Sequence, residues 1–473
     1  MGFEKSLRNL KDWVFQRDRN TALFFLALVI IVKLPTMGLD YHWDAILYSK
    51  QALFYAQNGP FAVPEGRIAH VPLLQWVTAI PFGIFGESPF AGHFVIALFS
   101  FIGVFYAYKL GSYLKNKQVG IISAFFVLLL PVYFSISGQF LFDIPVAAAT
   151  IATVYYFIKA DTKKYLISAS AAVFLKETGI LVVGAAIIYA LFKERKKVFV
   201  YASPLVLTGL WQLWISLHRE VSGFLIPSSI GAVPLRFAAS IYDSLFMNYT
   251  WLLLLPIVYA FYKKKKLFSG RAAILPLAIL TYILFFGIVP VFILPRYFLP
   301  AGILLAVMGS VALADSTKKY KILSAVICLL FISAYFVHYG IKGVLEDPIY
   351  RGGIYHKMTT QLKNGEMTLD YIEFVESEEK ALDYIFANYS GKTIAAKFPI
   401  YEPELASVES GGRLWKKNNI KVIPIEEADK ADVLIQESCC LDDIDGVKSG
   451  FKEVAKFGSG GINEITVYKK IAG

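Results

Sequence analysis

Long apolar runs separated by short polar loops fill the first 340 residues of the chain. A helix needs about 20 apolar residues to cross a hydrocarbon core about 30 Å thick, and most of these runs are close to that length. The pair 165–176 and 178–192 is shorter, which predicts either a hairpin of half-length helices or one broken span. The pattern predicts a multi-pass α-helical membrane protein with about eleven transmembrane helices. The predicted spans lie near 20–37, 88–110, 119–135, 144–160, 165–176, 178–192, 198–217, 246–262, 272–293, 297–314 and 322–340.

The loop after the first predicted span contains two apolar segments that are too short to cross a bilayer. Residues 44–58 (DAILYSKQALFYAQN) place their large apolar side chains on one broad side, and residues 72–85 (PLLQWVTAIPFGIF) are almost wholly apolar. Such helices lie in the plane of the membrane interface. They predict a cavity whose wall opens toward lipid, which suits a lipid-linked substrate.

The last 133 residues follow a different pattern, in which short alternating runs surround one amphipathic stretch. Strands are predicted near 392–399, 420–425, 431–436 and 464–470, and a helix is predicted at 376–388. Alternating strand and helix is typical of a small α/β domain. The sequence thus predicts a membrane domain over 1–340 and an α/β domain over 341–473.

The composition agrees with a membrane protein and excludes other classes. Hydrophobic residues make up 56% of the 473 positions and charged residues 18%, below the roughly 25% charged share of soluble domains. A soluble enzyme and a disordered chain are therefore excluded. The chain has only three cysteines, so no disulfide framework is predicted.

The net charge of +11 comes entirely from the apolar part of the chain. Residues 1–340 carry 30 basic and 14 acidic residues, whereas residues 341–473 carry 17 and 22. The basic residues gather in alternate loops, which is the cytoplasmic bias of membrane proteins. We therefore expect a protein of the cell membrane with a cytoplasmic N-terminus and an extracytoplasmic C-terminal domain. Because no basic stripe marks a water-facing surface, nucleic acid is not an expected partner. The clusters lie at 5–19, 109–117, 159–164, 193–197, 263–271 and 318–321.

Acidic residues of the membrane part are more frequent on the side opposite the basic clusters. Eight of the 14 acids in the membrane part, including Asp44 and Asp143, fall on or near the predicted outer side. A polar group near membrane depth is costly and usually lines a functional cavity. Chemistry at the outer face is the first hypothesis.

Six stretches of the membrane part form a pattern: Gly38–Leu53, His70–Gly86, Phe90–Leu114, Leu130–Pro145, Lys176–Gly179 and Arg296–Pro300. Together they resemble the membrane glycosyltransferases of the GT-C superfamily, in particular the protein O-mannosyltransferase and aminoarabinose-transferase-like group. Asp44 takes the family's first acidic position, with Ala45 where a second acid is usual, and Asp143 takes the second outer acidic position. His70 stands where the family usually has a lysine.

The resemblance implies an inverting transfer of a sugar from a polyprenyl (dolichyl or undecaprenyl) phosphate to an acceptor, which is a protein, a lipid or a glycan. Such a reaction needs a carboxylate to take the acceptor proton and positive charge for the departing phosphate. We assign Asp44 as the candidate general base and Asp143 as a second site carboxylate. The candidate phosphate-binding residues are Arg296, Lys176, Arg67 and His70, and the candidate supporting residues are Asp40 and Glu177.

Other interpretations stay open at this stage. Asp44 and Asp143 also fit helix N-caps, and Arg296 could extend to lipid head groups. No cofactor is indicated, and a divalent metal stays an open alternative. The same spans would suit a polytopic transporter or lipid flippase with an outer accessory domain, or an assembly protein, although a transporter more often shows internal repeats.

Overall fold

The computed structural model describes a helical bundle and a small α/β unit. It describes residues 17–41, 44–64, 70–218, 233–247, 250–263, 268–289, 294–334, 370–396, 420–437, 450–458 and 464–471. The bundle is built from α1 (Asp18–Lys33), α2 (Asp44–Asn58), α3 (Leu73–Phe85), α4 (Pro89–Leu114), α5 (Lys117–Leu129), α6 (Pro131–Ile136), α7 (Asp143–Ile158), α8 (Thr162–Leu175), α9 (Ile180–Lys193), α10 (Val198–Ala202), α11 (Leu205–His218), α12 (Val233–Tyr242), α13 (Trp251–Lys263), α14 (Ile274–Ile288), α15 (Leu299–Ser316) and α16 (Tyr320–Ala334).

The bundle has the length and composition of a multi-pass membrane protein, which confirms the predicted fold class. Among the described residues, five helical segments are long and apolar enough to cross a bilayer, and five further apolar helices are shorter. The long segments are Asp18–Thr36, Pro89–Leu114, Arg195–His218, Gly270–Ile288 and Pro295–Ser316.

Three predicted spans differ from the helices in the structure. The span predicted at 119–135 ends at Leu129 and resumes as α6, because Leu130 is extended (ψ 122°) and Pro131 cannot donate to a continuing helix. The span predicted at 198–217 is likewise divided, between α10 and α11, beside Pro204. The span predicted at 246–262 begins only at Trp251, after the π-helical turn Asp243–Met247. The short pair 165–176 and 178–192 is a helical hairpin, α8 and α9.

Two helices form the centre of the bundle. Every residue of α15 from Leu299 to Leu313 is buried, and α7 is buried along nearly its whole length. Lys33, the last residue of α1, is also buried. Its ammonium group donates to the carbonyl of Phe134 in α6 and lies 3.8 Å from the Phe134 ring centroid.

The cationic loops meet at one end of the bundle. There Lys109 pairs with Asp18 at 2.5 Å, and Lys115 pairs with Asp315. Arg271 pairs with Glu194 at 2.5 Å. Loops that are far apart in sequence are therefore neighbours at this end, as their shared charge predicts. Of the acidic residues predicted on the outer side, Asp44 and Asp143 lie at the starts of α2 and α7.

The two predicted interfacial helices pack against each other as α2 and α3. The amide of Gln75 donates to the side-chain oxygen of Gln51 at 3.0 Å in the buried contact between them. On the other side of α3, Ile80, Ile84 and Phe85 expose 65–78% of their surface. This exposed apolar side fits a helix that lies in the lipid interface.

The C-terminal unit is a five-stranded sheet with a helix, α17 (Asp370–Asn388), packed against it. The strands are β1 (Thr393–Ala396), β2 (Lys421–Pro424), β3 (Val433–Glu437), β4 (Phe451–Phe457) and β5 (Ile465–Lys470). They lie in the order β2-β1-β3-β5-β4. Strand β1 is parallel to its neighbours β2 and β3, and strand β5 is antiparallel to its neighbours β3 and β4. The predicted α/β fold is confirmed, and β4 is an additional edge strand. The predicted boundary between 340 and 341 lies outside the described residues.

The helix α17 reaches the membrane part of the chain. The backbone N–H of Asp40, in the loop before α2, donates to Oε1 of Glu379 at 3.0 Å. Val375 of the same helix lines a small cavity with Asp40, His93 and Gln139. The α/β unit therefore contacts the segment that leads directly into Asp44.

Candidate active site

Four predicted site residues meet at one end of the bundle, each at the start of a helical segment or just before one. Asp44 begins α2 and Asp143 begins α7. Lys176 follows α8 and directly precedes the 3-10 turn Glu177–Gly179. Arg296 lies in the 3-10 turn Pro295–Phe298 that leads into α15. Helix N-termini carry partial positive charge, which favours carboxylates and bound anions at this end.

The four side chains form one chain of ion pairs. Nζ of Lys176 lies 2.6 Å from Oδ1 of Asp143, and Nε of Arg296 lies 3.6 Å from Oδ2 of the same carboxylate. Nη2 of Arg296 lies 3.2 Å from Oδ2 of Asp44. The side chains of Asp143, Lys176 and Arg296 are at most 9% exposed, whereas that of Asp44 is 43% exposed. The network is buried at Asp143 and open at Asp44.

An aromatic ring lies beside both cations. Nζ of Lys176 is 4.5 Å from the ring centroid of Tyr297, and the guanidinium carbon of Arg296 is 5.5 Å from it. Tyr297 in turn stacks on Phe286 of α14. Cation–π contacts of this kind fix the positions of long basic side chains.

A second pair, His70 and Glu177, lies next to the first network. Nδ1 of His70 is 2.7 Å from Oε2 of Glu177, while the backbone N–H of Val71 donates to Oε1 at 3.1 Å. Burial works against ionisation of Glu177, but the charge and hydrogen bond of His70, a backbone hydrogen bond and the charge of Lys176 together outweigh it. The pKa of the Glu177 carboxyl is therefore below its ordinary value of 4.5.

Tyr48 is a site residue that the sequence analysis did not identify. It lies one helical turn after Asp44 on α2, so the two side chains share a face. Its ring packs edge-on against Phe142, with centroids 4.6 Å apart, and lies 5.8 Å from the His70 ring. Burial, and then the charge of Asp44, raises the pKa of the Tyr48 phenol well above its ordinary value. Because Tyr48 lies four residues after Asp44 in a predicted helix, this spacing could have identified it in the sequence.

Two buried charged residues behind Arg296 were also missed as candidates. The π-helical turn that contains Asp243 packs against Pro295–Phe298, and the Asp243 side chain is fully buried. Arg236, one element earlier, donates to the carbonyl of Phe286 at 3.1 Å and to that of Val289. These residues support the segments that hold Arg296 and Tyr297. In the sequence, Asp243 and Arg236 are isolated charges near apolar runs, and this pattern could have identified them as candidates.

Two predicted site residues, Asp40 and Arg67, remain. The amide of Asp40 binds Glu379 of α17, so Asp40 lies at the contact with the α/β unit, and its supporting role stays a prediction. Arg67 falls outside the described residues. Among the residues the structure describes, no group of three or more histidine, cysteine or acidic side chains is arranged to hold a metal ion.

Two cations held by two carboxylates, one of them open to solvent, can bind a phosphate and accept a proton in the same place.

The chain is similar to known proteins in part of its sequence and in its fold. Residues 69–217 match the family model described as dolichyl-phosphate-mannose-protein mannosyltransferase. The fold is similar to that of ArnT from Cupriavidus metallidurans bound to undecaprenyl phosphate, with a TM-score of 0.56 and 12% sequence identity over 95% of this chain and 98% of that one. ArnT from the same organism in the apo state has a TM-score of 0.57 and 12% sequence identity, over 95% of this chain and 97% of that one. The predicted resemblance to GT-C membrane glycosyltransferases is thereby confirmed.

A relative in sequence extends over much of the chain. An uncharacterised protein of Aquifex aeolicus (strain VF5) is 26% identical over 354 residues, which are 66% of this chain and 70% of that protein.

Proposed function

We propose that this protein is an inverting glycosyltransferase that moves a sugar from a polyprenyl-phosphate donor to an acceptor hydroxyl at the outer face of the membrane. The observation that carries the proposal is the convergence of Asp44, Asp143, Lys176 and Arg296 into one ion-pair network. The family match over residues 69–217 and the fold shared with ArnT support the same class of donor.

Lys176 and Arg296 are suited to bind the donor phosphate. Both cations are nearly buried, so a phosphate that reaches them interacts in a medium of lower polarity than water, where charge–charge attraction is stronger. A guanidinium can also contact two phosphate oxygens at once. Because Arg296 is paired with the exposed carboxylate of Asp44 in the free protein, an entering phosphate takes over this cation and releases Asp44.

Asp44 is then the general base. It is the most exposed member of the network, so an acceptor hydroxyl can reach it. In the transfer, the acceptor oxygen bonds to the anomeric carbon while the bond from that carbon to the phosphate oxygen breaks. The electron pair stays on the departing phosphate, whose charge Lys176 and Arg296 stabilise, and the acceptor proton passes to Asp44. Asp143 keeps both cations in place.

The surroundings of the site suit a substrate that arrives through lipid. The exposed apolar side of α3 would lie in the interface plane, close to the head groups. The basic loops gather at the opposite end of the bundle, which the positive-inside rule assigns to the cytoplasm. On this orientation the donor sugar and the C-terminal unit are extracytoplasmic.

The base assignment is tested with purified protein in lipid nanodiscs. The donors are undecaprenyl phosphates that carry mannose, glucose or aminoarabinose, with a membrane extract as acceptor source, and the release of undecaprenyl phosphate is measured. We expect Asp44→Asn to slow release by about 10²–10⁴-fold, the usual contribution of a general base. The matched control is Glu87→Gln, the same change at a carboxylate of the same end that pairs with Lys50.

The outcomes separate the parts of the proposal. Loss of release in Asp44→Asn with retention in Glu87→Gln supports Asp44 as the base. Equal release by Asp44→Asn and the unmodified protein overturns that assignment. If the unmodified protein releases undecaprenyl phosphate from none of the donors, the donor class is wrong.

A further inference from the structure

The hydroxyl of Tyr48 has no hydrogen-bond partner among the residues that the structure describes, although Tyr48 is only 6% exposed. Other buried tyrosines of the bundle do have such a partner. The hydroxyls of Tyr133, Tyr165 and Tyr282 each donate to a backbone carbonyl, at 2.8–3.1 Å. A buried hydroxyl without a partner costs free energy, and a ligand that supplies the partner recovers it. The Tyr48 hydroxyl is therefore a candidate ligand contact.

The side chain of Tyr48 is directed toward the candidate base. A side chain in an α-helix leans toward the N-terminus and lies over the preceding turn, and the turn before Tyr48 in α2 begins at Asp44. The Tyr48 ring is held from the side by Phe142, with centroids 4.6 Å apart, and by His70, with centroids 5.8 Å apart. Phe142 directly precedes Asp143. The ring thus lies between the two segments that carry the site carboxylates.

The phenol is a neutral group among the charges of the ion-pair network. Burial, and then the charge of Asp44, raises the pKa of the Tyr48 phenol well above its ordinary value, and the charges of Arg296 and Asp143 also act on it. Tyr48 therefore keeps an O–H group that can donate one hydrogen bond and accept another. Sugar hydroxyls are neutral and do the same, whereas a phosphate is better matched by the cations of the network.

We propose that Tyr48 is a sugar-binding residue, whose phenol forms a hydrogen bond with a hydroxyl of the sugar that the donor carries. This inference rests on the proposed function, in which the donor phosphate lies beside Arg296 and the acceptor beside Asp44. Nη2 of Arg296 is 3.2 Å from Oδ2 of Asp44, so the transferred sugar lies at this junction, one helical turn from Tyr48. The contact favours donors by their sugar and contributes nothing to binding of the bare polyprenyl phosphate.

The test uses Tyr48→Phe, which keeps the ring and removes only the phenolic oxygen. The protein is purified in lipid nanodiscs, with undecaprenyl phosphates that carry mannose, glucose or aminoarabinose as donors. Two quantities are measured: kcat/KM for release of undecaprenyl phosphate, and the dissociation constant of undecaprenyl phosphate itself. We expect kcat/KM to fall about tenfold, the effect of one lost hydrogen bond, while the dissociation constant stays unchanged.

The matched control is Tyr55→Phe. Tyr55 lies on the same helix and is 4% exposed, and its hydroxyl also lacks a hydrogen-bond partner in the described part of the chain. Its ring, however, packs against Phe54 and Trp76. Tyr55→Phe should leave both quantities unchanged. Thermal unfolding of the two variants checks that each one folds.

Donors whose sugar lacks a single hydroxyl separate a direct contact from an effect on Asp44. They are monodeoxy forms of the donor that the unmodified protein uses. If Tyr48 binds a sugar hydroxyl, one of these donors already lacks the partner, so the unmodified protein and Tyr48→Phe should use it equally well. If the difference between the two proteins persists with every monodeoxy donor, Tyr48 acts through Asp44, and the sugar contact is overturned.

Two other results would also overturn the inference. One is an unchanged kcat/KM in folded Tyr48→Phe, which leaves the proposed function intact. The other is a weaker dissociation constant of undecaprenyl phosphate that accounts for the whole loss, because the contact would then be made to the phosphate. If the unmodified protein neither binds undecaprenyl phosphate nor releases it from any donor, the donor class fails, and this inference fails with it.

Discussion

Nη2 of Arg296 lies 3.2 Å from Oδ2 of Asp44, although 252 residues separate the two in the chain. Asp44 begins α2, and Arg296 lies in the turn before the buried central helix α15. The contact joins the candidate base to the candidate phosphate ligand. In the free protein the charges of the two residues therefore compensate each other. Under the proposed function, a donor phosphate would take the place of Asp44 beside Arg296.

The first prediction concerns the geometry of Arg296. Arg296→Gln removes the charge and should weaken binding of undecaprenyl phosphate by about tenfold or more, since hydrogen bonds to charged groups contribute about 1.5–3 kcal/mol. Arg296→Lys restores the charge but not the planar pair of donors, so we expect an intermediate affinity. The measurement is the dissociation constant in nanodiscs.

The matched control for that prediction is Arg271→Gln. Arg271 also pairs with a carboxylate, Glu194, but at the cationic end of the bundle. Its loss should leave the dissociation constant unchanged. If both changes weaken undecaprenyl phosphate binding equally, Arg296 affects binding through the stability of the protein and not through contact with the phosphate.

The second prediction concerns the buried pair Lys176–Asp143. Lys176→Met leaves a carboxylate that is 4% exposed with only Arg296, at 3.6 Å, as a compensating charge. Removal of one partner of a buried ion pair usually costs about 3–5 kcal/mol, and Arg296 should keep the cost near the lower limit. The measurement is thermal unfolding in detergent.

The double variant Lys176→Met/Asp143→Asn should recover part of the lost stability, because it removes the uncompensated carboxylate charge as well. A double variant that is less stable than Lys176→Met would contradict this account.

The third prediction uses the depressed pKa of Glu177. A carboxyl whose folded pKa lies below its ordinary value of 4.5 stabilises the fold above that value, and this contribution disappears as pH falls through the folded pKa. The side chain is 42% exposed, so screening limits the contribution to less than about 1 kcal/mol. We expect the unmodified protein to be slightly more stable than Glu177→Gln at neutral pH, and the gap should close in acid. A stability difference between the two proteins that grows below pH 4.5 would contradict the predicted direction of this effect.

Sequence patterns predicted the elements of this fold better than the contacts between them. Residues 44–58 form the predicted interfacial helix over the whole predicted range, because the apolar side and an acidic first residue both lie in that segment. The pairing of Lys176 with Asp143 could not be predicted, since it depends on how α7 and the α8–α9 hairpin pack. Strand β4 was missed because it is an edge strand whose residues are mostly exposed and often charged.

The fourth prediction concerns the close contact of α4 and α5. A Cβ at Gly120 would lie 2.5 Å from the backbone carbonyl oxygen of Tyr108, which cannot move without shifting its helix. Gly120→Ala should therefore lower the free energy of unfolding by about 1–3 kcal/mol, as overpacking usually does. Gly184→Ala, in α9, is the control, because a Cβ there meets no atom within 4 Å. Equal effects of the two changes on thermal unfolding would contradict the packing argument.

The fifth prediction concerns the contact between the C-terminal unit and the loop before Asp44. Glu379 of α17 accepts the N–H of Asp40 at 3.0 Å, and its pKa is raised by burial. Glu379→Ala removes that acceptor, so hydrogen exchange of the Asp40 amide should accelerate severalfold. Glu376→Ala is the control, because Glu376 pairs at 3.6 Å with Lys380 of its own helix.

Hydrogen–deuterium exchange with mass spectrometry on peptides that contain Asp40 distinguishes the outcomes of this last prediction. Faster exchange in Glu379→Ala alone indicates that α17 holds the loop that leads into the candidate base. If donor turnover also falls in Glu379→Ala while undecaprenyl phosphate binding is retained, the contact helps to position Asp44. Unchanged exchange would mean that the amide is protected by something other than Glu379, and the α/β unit would then have no part in ordering the site.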